Sequence, residues 1–104
     1  MDVFLKSVGA LNDETRVKLL KFIHIHGQCC VCDLENSFEM IQSRLSRHLK
    51  ILKEAGFLSV KREGRWAYYS IRMPLDMFRQ ACIDEINCLP LDLPALKKSC
   101  EKGE

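Results

Sequence analysis

The 104-residue chain contains one tryptophan, two tyrosines, three prolines and five glycines. No stretch gathers Pro, Gly or Ser into a linker, no segment is of low complexity, and no internal repeat is visible. The sequence therefore reads as one domain with one modest core. Long hydrophobic runs are also missing: nothing approaches the roughly 20 apolar residues of a membrane helix. The opening Met-Asp-Val-Phe-Leu-Lys has no basic region followed by a long apolar stretch, so a secretory signal is not expected and a cytoplasmic location is. Charge of one sign is scarce as well. A formal net charge of +2 identifies no polyanionic partner by its size alone. With 47% hydrophobic and 29% charged residues, a wholly disordered chain is excluded.

The distribution of charge is more informative than its sum. Lys and Arg outnumber Glu between Arg44 and Arg65, whereas Asp76 to Asp92 is net acidic. The middle of the chain is the candidate polyanion-binding surface. Six cysteines would suggest a disulfide framework in a secreted protein. In a cytoplasmic one, the cluster Cys29-Cys30-Val31-Cys32 points instead to metal or redox chemistry.

Hydrophobic spacing gives the order of elements. Phe4, Val8 and Leu11 recur at helical spacing. Asn12-Asp13 then offers a cap for a second helix carrying Val17, Leu20 and Ile23 and ending near Gly27. A short helix is expected from about Cys32-Asp33, with Leu34 and Phe38 inward. From about Gln42 to Ala55, a helix wheel puts Ile41, Leu45, Leu49 and Leu52 on one apolar stripe, with His48 close to it. The opposite face carries Ser43, Ser46, Arg47 and Lys50, with Gln42 at its margin. After Gly56 the period becomes that of strands. Leu58–Arg62 and Trp66–Ile71, joined by Glu63-Gly64-Arg65, predict a β-hairpin with a charged tip. Pro74 suits the first turn of a last helix whose stripe is Leu75, Phe78, Cys82, Ile86 and Leu89. Pro90 and Pro94 end regular structure, and the tail from Lys97 is expected to be mobile.

Four helices, a basic hairpin and a fifth helix make a mostly α winged helix-turn-helix, expected over residues 1–90, with 91–104 as a C-terminal tail. In such a fold the second helix of the pair enters the major groove and the hairpin lies along the backbone. Gln42, Ser43, Arg44, Ser46, Arg47 and Lys50 are the candidate groove residues, since Arg matches guanine and Gln adenine bidentately. Lys61, Arg62 and Arg65 would hold phosphates, giving affinity and register without sequence information. No catalytic constellation is found. Cys29 to Cys32 has the Cys-x-x-Cys spacing of thiol oxidoreductases, but that motif belongs after a strand in a βαβ setting, and a helix is expected before it here. The two terminal stripes exceed what so short a chain can cover, which predicts a two-fold dimer.

Leu11-Asn12-Asp13-Glu14-Thr15-Arg16, Cys30-Val31-Cys32-Asp33-Leu34, Ser46-Arg47-His48-Leu49 and Gly64-Arg65-Trp66-Ala67-Tyr68-Tyr69, in that order, resemble the ArsR/SmtB family of metal-responsive repressors. The resemblance runs from about Phe4 to Ile86. It implies a homodimer that binds an inverted repeat in double-stranded operator DNA and is released by its inducer. Where family members often cap the reading helix with Ser or Thr, this chain has Met40-Ile41-Gln42. Cys30-Val31-Cys32 resembles the motif of the arsenite-responsive branch, in which trivalent arsenic or antimony takes three thiolates; such an ion would be an inducer, with no catalytic cofactor. That branch often has a cysteine where this chain has Glu35. The third ligand is Cys29, which stands beside the pair, or a cysteine of the C-terminal region, or absent. Cys82, inside an apolar stripe, reads as a small core residue. A different reading on the same fold is a redox or reactive-sulfur sensor, using for instance Cys30 or Cys32 with Cys88.

Overall fold

The computed structural model describes residues 1–98. They form α1 (Asp2–Ala10), α2 (Glu14–His26), β1 (Cys29–Cys30), α3 (Val31–Phe38), α4 (Gln42–Glu54), β2 (Leu58–Glu63), β3 (Trp66–Ile71) and α5 (Met77–Cys88). Cys100 and the rest of 99–104 lie outside the described residues.

Local chemistry explains most boundaries. The Asp13 carboxylate accepts the Arg16 backbone N–H at 3.1 Å and caps α2, satisfying one of the donors that a helix start leaves open. Gly27 closes α2 at φ 77°, a region open to glycine at little cost. One core results. Leu19, Leu20, Phe22 and Ile23 of α2 pack with Leu34, with Leu45, Leu49 and Leu52 of α4, and with Phe57 and Ile83, all of them buried.

The expected hairpin is present, with Leu58 opposite Ile71 and Glu63 opposite Trp66. It is larger than expected, however: β1 adds to it, giving the order β1-β3-β2 with Cys29 opposite Tyr69 and Cys30 opposite Tyr68. Two residues are too short to display a period of two, so this strand had no local signature.

Two helix starts differ from expectation. Ile41 is 72% exposed, not on the buried stripe, because it is the extended N-cap of α4 at φ −66° and ψ 149° and so leaves the helical row. The last helix begins at Met77 rather than near Pro74, because the Asp76 side chain caps it by accepting Arg79 N–H at 2.9 Å. Leu75 therefore precedes α5, which buries Ile83 and Ile86.

The unburied apolar surface is correspondingly different from the two predicted stripes. Ile86 is in the chain's own core, and Leu11, Leu75 and Cys82 pack against it. Val3, Phe4, Leu5 and Val8 of α1 remain exposed beside Met77 and Phe78 of α5, with the Phe4 and Phe78 rings 5.2 Å apart.

The segment after α5 has no regular structure but follows a fixed course. Leu91 and Leu96 pack on the core. The Lys97 backbone N–H donates to Ser37 Oγ at 2.7 Å. At Lys97, the expectation of a mobile tail is replaced by an anchor on α3.

Candidate nucleic-acid interface and thiol site

The outward side of α4 is set by its inward one. Leu45, Leu49 and Leu52 are fully buried, and that row turns Gln42, Ser43, Arg44, Ser46, Arg47 and Lys50 to solvent. All six predicted groove residues are exposed. In the hairpin, Lys61, Arg62 and Arg65 are also exposed. Lys61 Nζ lies 3.2 Å from Glu63, and the Arg65 guanidinium sits 5.2 Å from the Trp66 ring centre. Gly64, at φ 62°, supplies the left-handed backbone that a two-residue hairpin turn requires.

The buried side of α4 holds polar anchors that sequence reasoning missed. His48 is 8% exposed, and Arg16 Nη1 is 3.3 Å from its Nδ1. Guanidinium only donates, so Nδ1 is the acceptor and the imidazole is neutral. Burial lowers the His48 pKa, with Asp13 pulling the other way. Arg16 also donates Nε–H to the Ala10 carbonyl at 2.7 Å. It thereby joins the end of α1 to the middle of α4. At the other end of α4, Arg79 donates to Ala55 O at 2.8 Å and to Asp76 at 2.7 Å, and it also reaches Ser7 Oγ. α1, α4 and α5 meet at this one side chain. The Asn12-Asp13-Glu14-Thr15-Arg16 run was visible in the sequence, but nothing local told which groups its arginine would reach.

The thiols gather where β1 passes into α3. In a regular helix, residues two apart point in different directions. Cys30 is not helical: it is the extended N-cap of α3, at φ −72° and ψ 146°. Its Sγ therefore swings to within 2.8 Å of Cys32 Sγ. Adjacent strand residues face opposite ways, and Cys29 accordingly belongs to the hydrophobic core while donating to the Gly27 carbonyl at 3.3 Å. Burial first, and then the Asp33 carboxylate, push its pKa up to about 11. Cys82 is likewise raised, mainly by burial. Cys29, Cys82 and Cys88 are free thiols, so Cys88 forms no dithiol bond. Cys32 is disulfide-bonded, so it can serve as a soft-ion ligand only after reduction. Among the described residues, no three His, Cys, Asp or Glu side chains gather into a metal-holding group.

A three-stranded sheet carrying the wing, a buried helix pair and an exposed polar helix ahead of the wing define a winged helix-turn-helix fold. Solved structures agree on the fold. The HlyU protein of Vibrio cholerae superposes with a TM-score of 0.68 over 82% of this chain and 85% of its own, at 22% identity. Residues 13–60 match the model of the arsR family of bacterial regulatory proteins. A regulator from Methanocaldococcus jannaschii is 39% identical over 60% of this chain and 70% of its own length. This chain belongs to the arsR family, whose members are transcriptional regulators and not enzymes. It is 35% identical over 75 residues to the arsenical resistance operon repressor of Escherichia coli, covering 72% of this chain. To an arsenic resistance regulator of Pseudomonas putida it is 43% identical over 59% of this chain. The matched stretches span 64% and 48% of those two relatives. No helix among the described residues is long and apolar enough to cross a membrane.

Proposed function

We propose that the protein is a cytoplasmic, dimeric repressor of an arsenic-resistance operon, released from its operator when cysteine thiolates, Cys30 and Cys32 among them, take up trivalent arsenic or antimony. The observation that carries this reading is the 2.8 Å approach of the Cys30 and Cys32 sulfurs at the head of α3, the helix that leads into α4. Thiolates select soft ions, and once Cys32 is reduced, two sulfurs already held this close bind one ion at little cost in ordering.

DNA is read by α4. Arg44 and Arg47 suit guanine, Gln42 suits adenine, and Ser43, Ser46 and Lys50 complete the groove surface. Lys61, Arg62 and Arg65 of the wing neutralise phosphates. The exposed apolar side of α1 and α5, with Phe4 53% and Phe78 37% exposed, is the surface on which a second copy packs. A two-fold dimer would match an inverted repeat.

The inducer acts through its differential affinity for free and DNA-bound protein. An ion drawn onto the β1–α3 junction shifts α3, and α4 follows through their shared core. The test is a titration of the DNA upstream of the protein's own gene, followed by fluorescence anisotropy of the reduced protein with and without arsenite. Tight binding that arsenite reverses is the expected result; binding indifferent to arsenite would sink the inducer assignment.

A second reading is a redox-sensing repressor on the same fold, favoured by one observation, the disulfide at Cys32. DNA affinity that changes between oxidised and reduced protein without any metalloid would support it.

A further inference from the structure

Two surfaces carry the proposed function, the apolar side of α1 and α5 and the outward side of α4, and one side chain joins the elements that bear them. Arg79 follows Met77 and Phe78, both exposed at the start of α5, but its own side chain is only 17% exposed. Ser7 is likewise on the inner side of α1, 1% exposed between the exposed Phe4 and Val8. The guanidinium donates Nε–H to the Ala55 carbonyl at 2.8 Å, Nη1–H to Asp76 at 2.7 Å and Nη2–H to Ser7 Oγ. The Ser7 hydroxyl donates in turn to the Val3 or the Ala55 carbonyl, at 3.0 and 3.3 Å.

Ala55 is the C-cap of α4, where carbonyls have no partner further along the helix and carry the negative end of its dipole. A cation is favoured there, but charge alone fixes no direction. A rigid planar fork does, when its three donors meet acceptors on α1 and at the ends of α4 and α5. The guanidinium is also closely fitted. A Cβ at Gly56 would come within 2.7 Å of Nε and displace it, and the Phe57 ring centre lies 5.8 Å from the guanidinium carbon.

From this geometry we infer that Arg79 is a positioning residue for DNA binding: it fixes α4 relative to the dimer surface, and so sets the half-site spacing that two α4 helices can engage together. The inference rests on the dimeric-repressor reading above and adds to it a determinant of operator spacing. A two-fold dimer places its half-sites about 34 Å apart, one turn of the duplex. Once one α4 is seated, the second binds intramolecularly, a gain of roughly 10²–10⁴ that vanishes when geometry forbids joint engagement. Three hydrogen bonds from one fork hold that geometry, whereas a loose link spreads the second helix over many separations. Arg79 grips α4 beyond its last turn, five residues past Lys50, the last candidate groove residue. Contacts to a single half-site therefore do not pass through it.

The test uses the full chain, reduced, and the inverted repeat found by footprinting the DNA upstream of its own gene. The repeat is supplied intact, with its spacer changed by a few base pairs, and cut to one half-site. Binding is followed by fluorescence anisotropy, and sedimentation reports whether each variant is a dimer. Arg79→Met keeps the backbone N–H that Asp76 accepts to cap α5. It should bind the intact repeat at least about tenfold more weakly than the parent, bind the half-site within about twofold of it, and tolerate spacers that the parent rejects. Arg79→Lys retains the charge without the fork and should behave as Arg79→Met. Ser7→Ala removes one contact of the three; it should broaden spacer tolerance by a smaller amount, and it decides the matter if Arg79→Met fails to fold. Equal weakening on repeat and half-site, an unchanged spacer profile, or full rescue by Arg79→Lys would overturn the inference and leave the repressor reading standing. A parent that is monomeric, or that binds the repeat no better than the half-site, would defeat the dimeric reading itself.

Discussion

The outer face of α4 and the junction of β1 with α3, neighbours along the chain, are built in contrasting ways. On α4, Gln42 through Arg44, Ser46, Arg47 and Lys50 stand in solvent, and Leu45, Leu49 and Leu52 behind them hold the helix in place. At the junction, Cys29 and Cys30 are 2% exposed and are paired through β1 to Tyr69 and Tyr68. An exposed face can change its side chains with little effect on folding, so recognition there can vary freely. The thiol site proposed above, built into a sheet edge and a helix cap, cannot. Whatever binds it must move backbone that the core also uses, which is what a switch requires.

The largest test of this contrast removes the ligands and keeps the fold. An essentially complete switch needs about 10⁴-fold preference of the ion for the free protein. The Cys30→Ser, Cys32→Ser double variant should lose that response while its DNA affinity stays within about threefold of the parent. A titration in arsenite measures both, and a double variant still released by arsenite would end the site assignment.

The next effect lies on the exposed face. Arg47→Ala should weaken operator binding by roughly 10- to 100-fold and relax the preference at one base pair, without lowering the melting temperature. Equal weakening on every sequence would mean that Arg47 serves the phosphate backbone instead.

A smaller change should appear where α2 is capped. Asp13→Ala should cost about 1 kcal/mol of stability in chemical denaturation. Burial would raise the Asp13 pKa, but the Arg16 N–H and guanidinium outweigh it and hold it below 3.8. The sign follows: the folded pKa is depressed, so this stabilisation is present above pH 3.8 and is lost as pH falls through the folded value. The variant should therefore be less sensitive than the parent to acid below pH 4, and an identical acid profile would argue against the cap.

The mildest outcome is expected in the wing. Arg65→Ala should reduce affinity a few-fold on all DNA sequences and flatten the salt dependence by about one phosphate's worth, a slope change near 0.9. A changed base preference at constant slope would move Arg65 from backbone to base reading.

Much of this was legible in the residues themselves. The 3.6-residue spacing of Leu45, Leu49 and Leu52 fixed which side of α4 faces out, and Asp13 and Gly27 marked the ends of α2. Turn chemistry at Gly64 located the tip of the hairpin. Each of these is a local property, written within one or two turns of helix or one strand pair, where steric and capping preferences act between near neighbours. Pro74 misled because its preference for a helix start is weaker than the capping bond that Asp76 makes two residues later. Ile41 misled because a wheel assumes helical dihedrals one residue before they begin.

What the chain could not announce locally depends on partners far away in sequence. The third strand exists because Cys29 and Cys30 meet Tyr69 and Tyr68, and only that pairing holds Cys30 extended so that its sulfur can turn toward Cys32. Arg79 reaches back to Ala55 and Ser7, and Lys97 to Ser37, across separations that no periodicity spans. The sequence by itself determined the helices, the wing and the residue types available for DNA and for soft ions. Tertiary structure decided which sulfurs converge, which arginines hold α4 and where the C-terminal segment lies, because hydrogen bonds and burial at those places come into being only once distant segments have packed together.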